Sequence, residues 1–146
     1  MLSNSCKYAI RALVYLAKFY PERNNIGIRE ISHELDLPSP FLAKIMQQLA
    51  KQKVLNSIKG PNGGFSLIKK PESISLYDIV KIIDGEDLFI NCLIHDETCG
   101  SVIKSKKVCA IHDDYEGVRA QLKALFRNRT IAQMASSASS SGHVKI

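Results

Sequence analysis

No stretch of this 146-residue chain approaches the roughly 18 apolar residues of a membrane-spanning helix. The opening Met1-Leu2-Ser3-Asn4-Ser5-Cys6-Lys7 lacks the n-region and cleavage site of a signal peptide. A cytoplasmic protein with no membrane partner is therefore expected. Catalytic signatures are missing too. There are no paired carboxylates and no nucleophile elbow, and Gly60-Pro61-Asn62-Gly63-Gly64 lacks the lysine and hydroxyl of a phosphate loop. An enzyme is not expected. Cysteine is scarce, with four in the chain. In a reducing compartment, clustered thiols suggest metal or redox chemistry rather than a disulfide framework.

What is present is a basic, ordinary globular composition. Hydrophobic residues make up 45% and charged residues 23%. Lys and Arg number 20 against 14 acidic residues, a net charge of +6. That balance favours a polyanionic partner, nucleic acid or an acidic membrane surface.

Hydrophobic periodicity predicts a helix over 5–20, with Ala9, Leu13, Leu16 and Tyr20 in phase and Pro21 as its stop. A shorter helix follows over 28–36. Ser39 then reads as an N-cap and Pro40 as a first helical residue. The helix after them buries Leu42, Ile45, Met46 and Leu49. Two helices joined by a tight turn are a helix-turn-helix pattern. Residues 54–59 and 65–68 are short strands joined by the glycine-rich 60–64, a hairpin in the place of a wing. Ser75 and Asp78 resemble a capping box opening a helix with Leu76, Ile79, Val80 and Ile83 inside. Residues 86–112 show no sustained periodicity. Asp113 and Asp114 open a last long helix with the stripe Tyr115, Val118, Leu122, Leu125 and Phe126. Thr130 caps a short piece through Ala135, and the serine-rich tail is expected to be disordered.

The expected fold is mainly α with a small β-hairpin: a winged helix-turn-helix domain plus a long dimerisation helix. The expected divisions are 1–84 for the DNA-binding domain, 85–112 for the cysteine loop, 113–135 for the dimerisation and short C-terminal helices, and 136–146 for the tail.

The unburied face of 39–51 carries Ser39, Phe41, Ala43, Lys44, Gln47, Gln48 and Lys51, and no carboxylate. Glutamine pairs with adenine edges, and lysine reaches guanine or phosphate. A solvated face of a core helix is the plain alternative. Lys59 stands at the wing, suited to a minor groove. Ser5 and Lys7, at the start of the first helix, would hold a phosphate. One recognition helix gives limited specificity. Tyr115, Val118, Leu122 and Leu125 are therefore expected to pair two copies on a pseudo-palindromic double-stranded site.

Three of the four cysteines lie in one run, Cys92-x6-Cys99-x9-Cys109-x2-His112. Three thiols and an imidazole meet the four-ligand need of zinc, and also suit an iron–sulfur cluster. Two C-x-x-H units, Cys92 to His95 and Cys109 to His112, would also make a Cys2His2 zinc site with Cys99 spare. Cys6 reads as a buried small side chain. His33 and His143 read as surface residues.

The chain resembles the Rrf-two-type transcriptional regulators over roughly residues 1–135. The resemblance rests on Lys7-Tyr8-Ala9-Ile10-Arg11-Ala12-Leu13, on the wing Gly60-Pro61-Asn62-Gly63-Gly64-Phe65, and on the downstream cysteines. It implies a dimeric winged-helix DNA-binding protein, often a repressor. By resemblance to the cluster-bearing, IscR-like members, Cys92, Cys99 and Cys109 would hold a 2Fe–2S cluster, with His112 as fourth ligand. The alternative is a winged-helix regulator with a structural zinc or no metal, controlled by a metabolite or protein partner. Some members use a carboxylate near the start of the first helix, where this chain has Lys7. Ala43 stands where IscR-like members have a glutamate, and Lys59 where an arginine of the wing is expected. The interval between Cys99 and Cys109 is also longer than in those members.

Overall fold

The computed structural model describes residues 1–106 and 109–140. In chain order its elements are α1 (Asn4–Lys18), α2 (Ile28–Leu35), α3 (Ser39–Lys51), β1 (Leu55–Ile58), β2 (Gly64–Leu67), a 3-10 turn (Pro71–Ser73), α4 (Leu76–Ile83), α5 (Asp87–Ile90), α6 (Cys99–Lys104), α7 (His112–Asn128) and α8 (Ile131–Ser140).

The centre of the molecule is α1. Cys6, Ala9, Ala12, Leu13 and Val14 are wholly buried on it. Among the described residues, α2, α3, α4 and α8 pack against α1. Leu42, Ile45, Met46 and Leu49 of α3 fill the same core, as their spacing predicts. Between α2 and α3, Asp36 takes the left-handed conformation at φ 51° and turns the chain. The Arg11 guanidinium donates to the Leu35 carbonyl at 2.6 Å. A cation thus satisfies the C-terminal end of α2 and fixes the helix-turn-helix onto α1.

The start of α3 differs from expectation by one residue. Pro38 is the N-cap, and the first turn closes when Leu42 N–H donates to the Pro38 carbonyl at 3.0 Å. Ser39 is therefore already helical, with Pro40 in the first turn behind it.

The wing is an antiparallel pair with Leu55 opposite Leu67 and Ile58 opposite Gly64. Gly60, at φ 109°, makes the turn possible, and Gly63 N–H donates to its carbonyl at 2.9 Å. Ile26 extends the sheet by one bridge. Its backbone exchanges two bonds with Phe65, at 3.0 and 2.9 Å. Ser75 and Asp78 form a full capping box at the head of α4.

Two expectations need correction in the C-terminal half. The segment 86–112 is not unstructured: α5 and α6 lie within it. Phe89 anchors α5 by packing between Tyr77 and Phe126 at ring separations of 4.8 and 5.5 Å. Thr98 caps α6 by accepting from Ser101 N–H at 3.2 Å. The tail begins later than predicted, because α8 runs on to Ser140. Residues 141–146, including His143, lie outside the described residues. Ile131 is fully buried in the α1 core, so α8 shares the core of the N-terminal helices. Among the described residues no helix is long and apolar enough to cross a membrane.

Candidate functional site

Two surfaces carry the predicted residues. On the first, Phe41, Lys44, Gln47 and Lys51 are exposed along α3, and Ser39 is half-exposed at its head. The helix Ser39–Lys51 contains no acidic residue. Phe41 meets the Tyr8 ring edge-on at 5.8 Å, which steadies it beside α1. Gln48 is different. Its amide donates to the Ile82 carbonyl at 2.8 Å, tying α3 to α4. A side chain so engaged braces α3 against α4, whereas Lys44 and Gln47 project to solvent.

Lys59 is exposed at the wing, next to Gly60. Lys7 is exposed on α1. The N-terminus of α1 is itself occupied. Ser3 caps it, and Asp84 accepts from both the Ser3 N–H, at 2.9 Å, and the Ser3 hydroxyl. A phosphate there would meet a carboxylate, so Ser5 has little to offer an anion while the Lys7 ammonium still stands clear.

The second surface is built by the cysteine segment against α7. Cys92 and Cys99 are buried with Val102, and Cys109 packs beside them. The Cys92 and Cys109 sulfurs lie 3.4 Å apart. All four cysteines are free thiols. Backbone N–H groups of Ile94 and His95 hold the Cys92 thiol down to about 7, and Cys109 adds to this. Cys109 is raised by its bond to Cys92 and by burial. Cys99 is engaged elsewhere: the Arg119 guanidinium donates to its sulfur at 2.9 Å. His112 opens α7, its N–H bonded to the Cys109 carbonyl at 3.1 Å. It lines an open cleft of about 710 Å³ together with Cys99, Glu116 and Arg119.

The structure brings the sequence-predicted thiols together in part. Cys92 and Cys109 are adjacent, with Cys99 in the same small core. Among the described residues, no three His, Cys, Asp or Glu side chains converge closely enough to hold a metal ion. The donor chemistry fits a soft metal or cluster, since two buried thiols and a third, partly buried one lie together. Arg119 is a member of this site that the sequence reading misses. An arginine on an amphipathic helix ordinarily reads as solvent face; its i, i+7 spacing from His112 is the available signal.

The stripe expected for dimerisation is divided. Leu122 and Phe126 pack on the chain's own core. Val118 and Leu125 are 57% and 59% exposed. Tyr115 lies beneath Arg119, whose guanidinium sits 4.9 Å above the ring.

Comparison with known proteins bears on the fold and the family. A family model described as "Rrf2: Iron-dependent Transcriptional regulator" matches residues 2–137. A protein of Aquifex aeolicus bearing the name of an HTH-type transcriptional regulator is 33% identical over 134 residues, covering 92% of this chain and 90% of that one. The transcriptional regulator NsrR of Halalkalibacterium halodurans is 29% identical over 99 residues, 67% of each chain. Among solved structures, CymR, the global cysteine regulator of B. subtilis, superposes with a TM-score of 0.76 at 20% identity, covering 94% of this chain and 97% of that one. T. potens IscR gives 0.71 at 23% identity, covering 99% and 92%. These last two establish the winged-helix fold. Helix-turn-helix, wing and family model cover the same residues, so the chain belongs to the Rrf2 family of transcriptional regulators and is not an enzyme.

Proposed function

We propose that this regulator binds a pseudo-palindromic operator as a homodimer and senses redox state, nitric oxide or iron–sulfur status through its cysteine segment, most simply as a repressor. The observation that carries the reading is the buried thiol group at the foot of α7: Cys92 and Cys109 at 3.4 Å, with Cys99 in the same apolar core. The division of labour follows the chain. Residues 1–84 bind DNA, 85–112 sense, and 113–135 pair the subunits. DNA is read by Lys44 and Gln47 in the major groove, flanked by Ser39, Phe41, Gln48 and Lys51. Lys59 and Lys7 reach toward the minor groove and the backbone. The place of work is the cytoplasm, with the DNA.

Cys92, Cys99 and Cys109, with His112 as fourth ligand, would hold a 2Fe–2S cluster. Bound there, the cluster supplies a centre whose charge and ligation change with oxidants, nitric oxide or iron shortage. The chain's own part is mechanical. Cys109 sits in the turn that leads into α7 and His112 is the helix's first residue, so a rearranged thiol group moves the end of that helix. Its exposed Val118 and Leu125 face the second copy, and the spacing of the two α3 helices follows. Support for iron as the metal comes from the family description.

The test is DNA binding in different redox states. Protein selected against a pool of random duplexes yields a two-fold site, and its affinity for that site changes on exposure to nitric oxide or oxidant. A Cys92→Ala, Cys99→Ala, Cys109→Ala triple variant that binds the site like wild type in every state removes the sensing role. Stoichiometric zinc with no visible absorbance, and unfolding by chelator, would make the segment a structural metal site instead.

A further inference from the structure

Arg119 stands in the middle of α7, a helix otherwise largely open to solvent, yet it is 7% exposed. One terminal nitrogen donates both to the Cys99 sulfur, at 2.9 Å, and to the Asn91 carbonyl, at 3.1 Å. The other lies 3.3 Å from the Glu116 carboxylate. Its Nε is buried without a hydrogen-bond partner. A guanidinium is kept in such a place only where its charge is matched, because desolvating it is costly. The two groups it grips bracket one segment of chain. Asn91 and Thr98 form a β-bridge, and Cys92 N–H donates to the Glu97 carbonyl at 2.8 Å.

The geometry points to Arg119 as the positioning residue of the cysteine centre: it locks the Asn91–Cys99 segment onto α7 and places a positive charge on the Cys99 sulfur. This rests on the reading of these cysteines as iron–sulfur ligands. A thiolate retains lone pairs for an N–H donor while it ligates a metal. Hydrogen bonds to sulfur and net charge are among the factors that set a cluster's potential. A cation on the sulfur favours the more negative, reduced state, and so raises that potential. A second result is that the sensor and the helix bearing Val118 and Leu125 share one side chain. Lysine would supply the charge but not the planar fork.

The full chain is tested as wild type, Arg119→Met and Arg119→Lys. Three quantities are read: iron and sulfide per chain, midpoint potential by anaerobic titration, and amide exchange of Cys92 in the metal-free, reduced protein. In whatever fraction loads, Arg119→Met should shift to a more negative potential, and the metal-free protein should exchange the Cys92 amide about tenfold faster or more, while α1 amides are unchanged. Arg119→Lys should recover part of the potential and little of the protection. A loaded Arg119→Met protein with wild-type potential overturns the electrostatic role, and unaltered exchange overturns the clamp. If Arg119→Met does not load, Arg119→Lys decides: a potential below wild type supports the proposal, and an equal one sinks it. Wild-type protein that takes up neither iron nor sulfide is a failure of the proposed function, seen before any variant is made. Exchange at Cys92 would still decide the clamp.

Discussion

The wing depends on a close backbone approach that one methyl group would break. Gly64 lies so near Ile26 that a Cβ added there would fall inside contact distance of the Ile26 carbonyl oxygen. It would also lie 2.6 Å from the carbonyl carbon and 2.7 Å from Asn25 Oδ1. Two of these three atoms are backbone, so the clash cannot be relieved by a rotamer. Gly64→Ala therefore pushes the hairpin off residue 26. The Ile26–Phe65 pair of hydrogen bonds goes with it, at about 1 kcal/mol net each. Phe65, now 7% exposed, gives up part of its burial, about another 1–2 kcal/mol. The expected loss is roughly 3–4 kcal/mol, or a fall in Tm of roughly 6–16 °C for a chain of this size. Calorimetry and urea denaturation read the stability, and amide exchange at Phe65 reads the bridge. Gly60→Ala is the control. It meets no atom within 4 Å but sits at φ 109°, so it carries backbone strain alone, about 1–3 kcal/mol, with the Phe65 amide still protected. A Gly64→Ala protein within about 0.5 kcal/mol of wild type, a range typical of surface substitutions, and with Phe65 protected, refutes the close-approach argument.

Other predictions concern the interface and the thiols. Gln47→Ala and Lys44→Ala should cost about 1–3 kcal/mol on the selected site and less on random DNA if the side chains bond bidentately to bases; equal weakening on both sequences means that they touch phosphate only. Lys59→Ala should weaken binding to every sequence and reduce the salt slope by about 0.9 for each phosphate that the lysine neutralises; an unchanged slope removes the wing from the DNA. Leu125→Glu, at an exposed site on α7, should yield folded monomers in sedimentation, whereas an intact dimer would move the interface elsewhere. Cys6 is fully buried, and burial followed by the Asp84 charge pushes its thiol up to about 12. It should resist alkylation until denaturant is added, and rapid labelling in native protein would contradict that burial.

The elements legible in the sequence are those whose burial repeats. Leu42, Ile45, Met46 and Leu49 announce α3 because three turns share one core face. The capping box at Ser75 is legible because it is chemistry local to four residues. The parts missed are short or held by distant partners. The Asp87–Ile90 and Cys99–Lys104 helices are too brief to show a period, and α5 exists because Phe89 finds Phe126 far along the chain. The serines of α8 read as tail. In the structure Ser136, Ser137 and Ser139 turn their hydroxyls back onto carbonyls four residues earlier, at 2.9–3.0 Å, while Ile131 and Ala135 dock inside. The stripe on α7 reads as one face, yet it serves two: Leu122 and Phe126 turn inward, Val118 and Leu125 outward. The three cysteines are legible as a group by type and spacing. Arg119 is not, since its burial comes from the segment folded over it.

The most direct test of the account is the metal content of anaerobically purified protein, with iron, sulfide and zinc assayed on one sample beside its visible spectrum. The account predicts charge-transfer absorbance with iron and sulfide in equal amounts, lost in Cys92→Ala, Cys99→Ala and Cys109→Ala. A colourless protein holding zinc, or no metal even after reconstitution with iron and sulfide, would contradict the cluster and leave a winged-helix regulator with its sensor elsewhere.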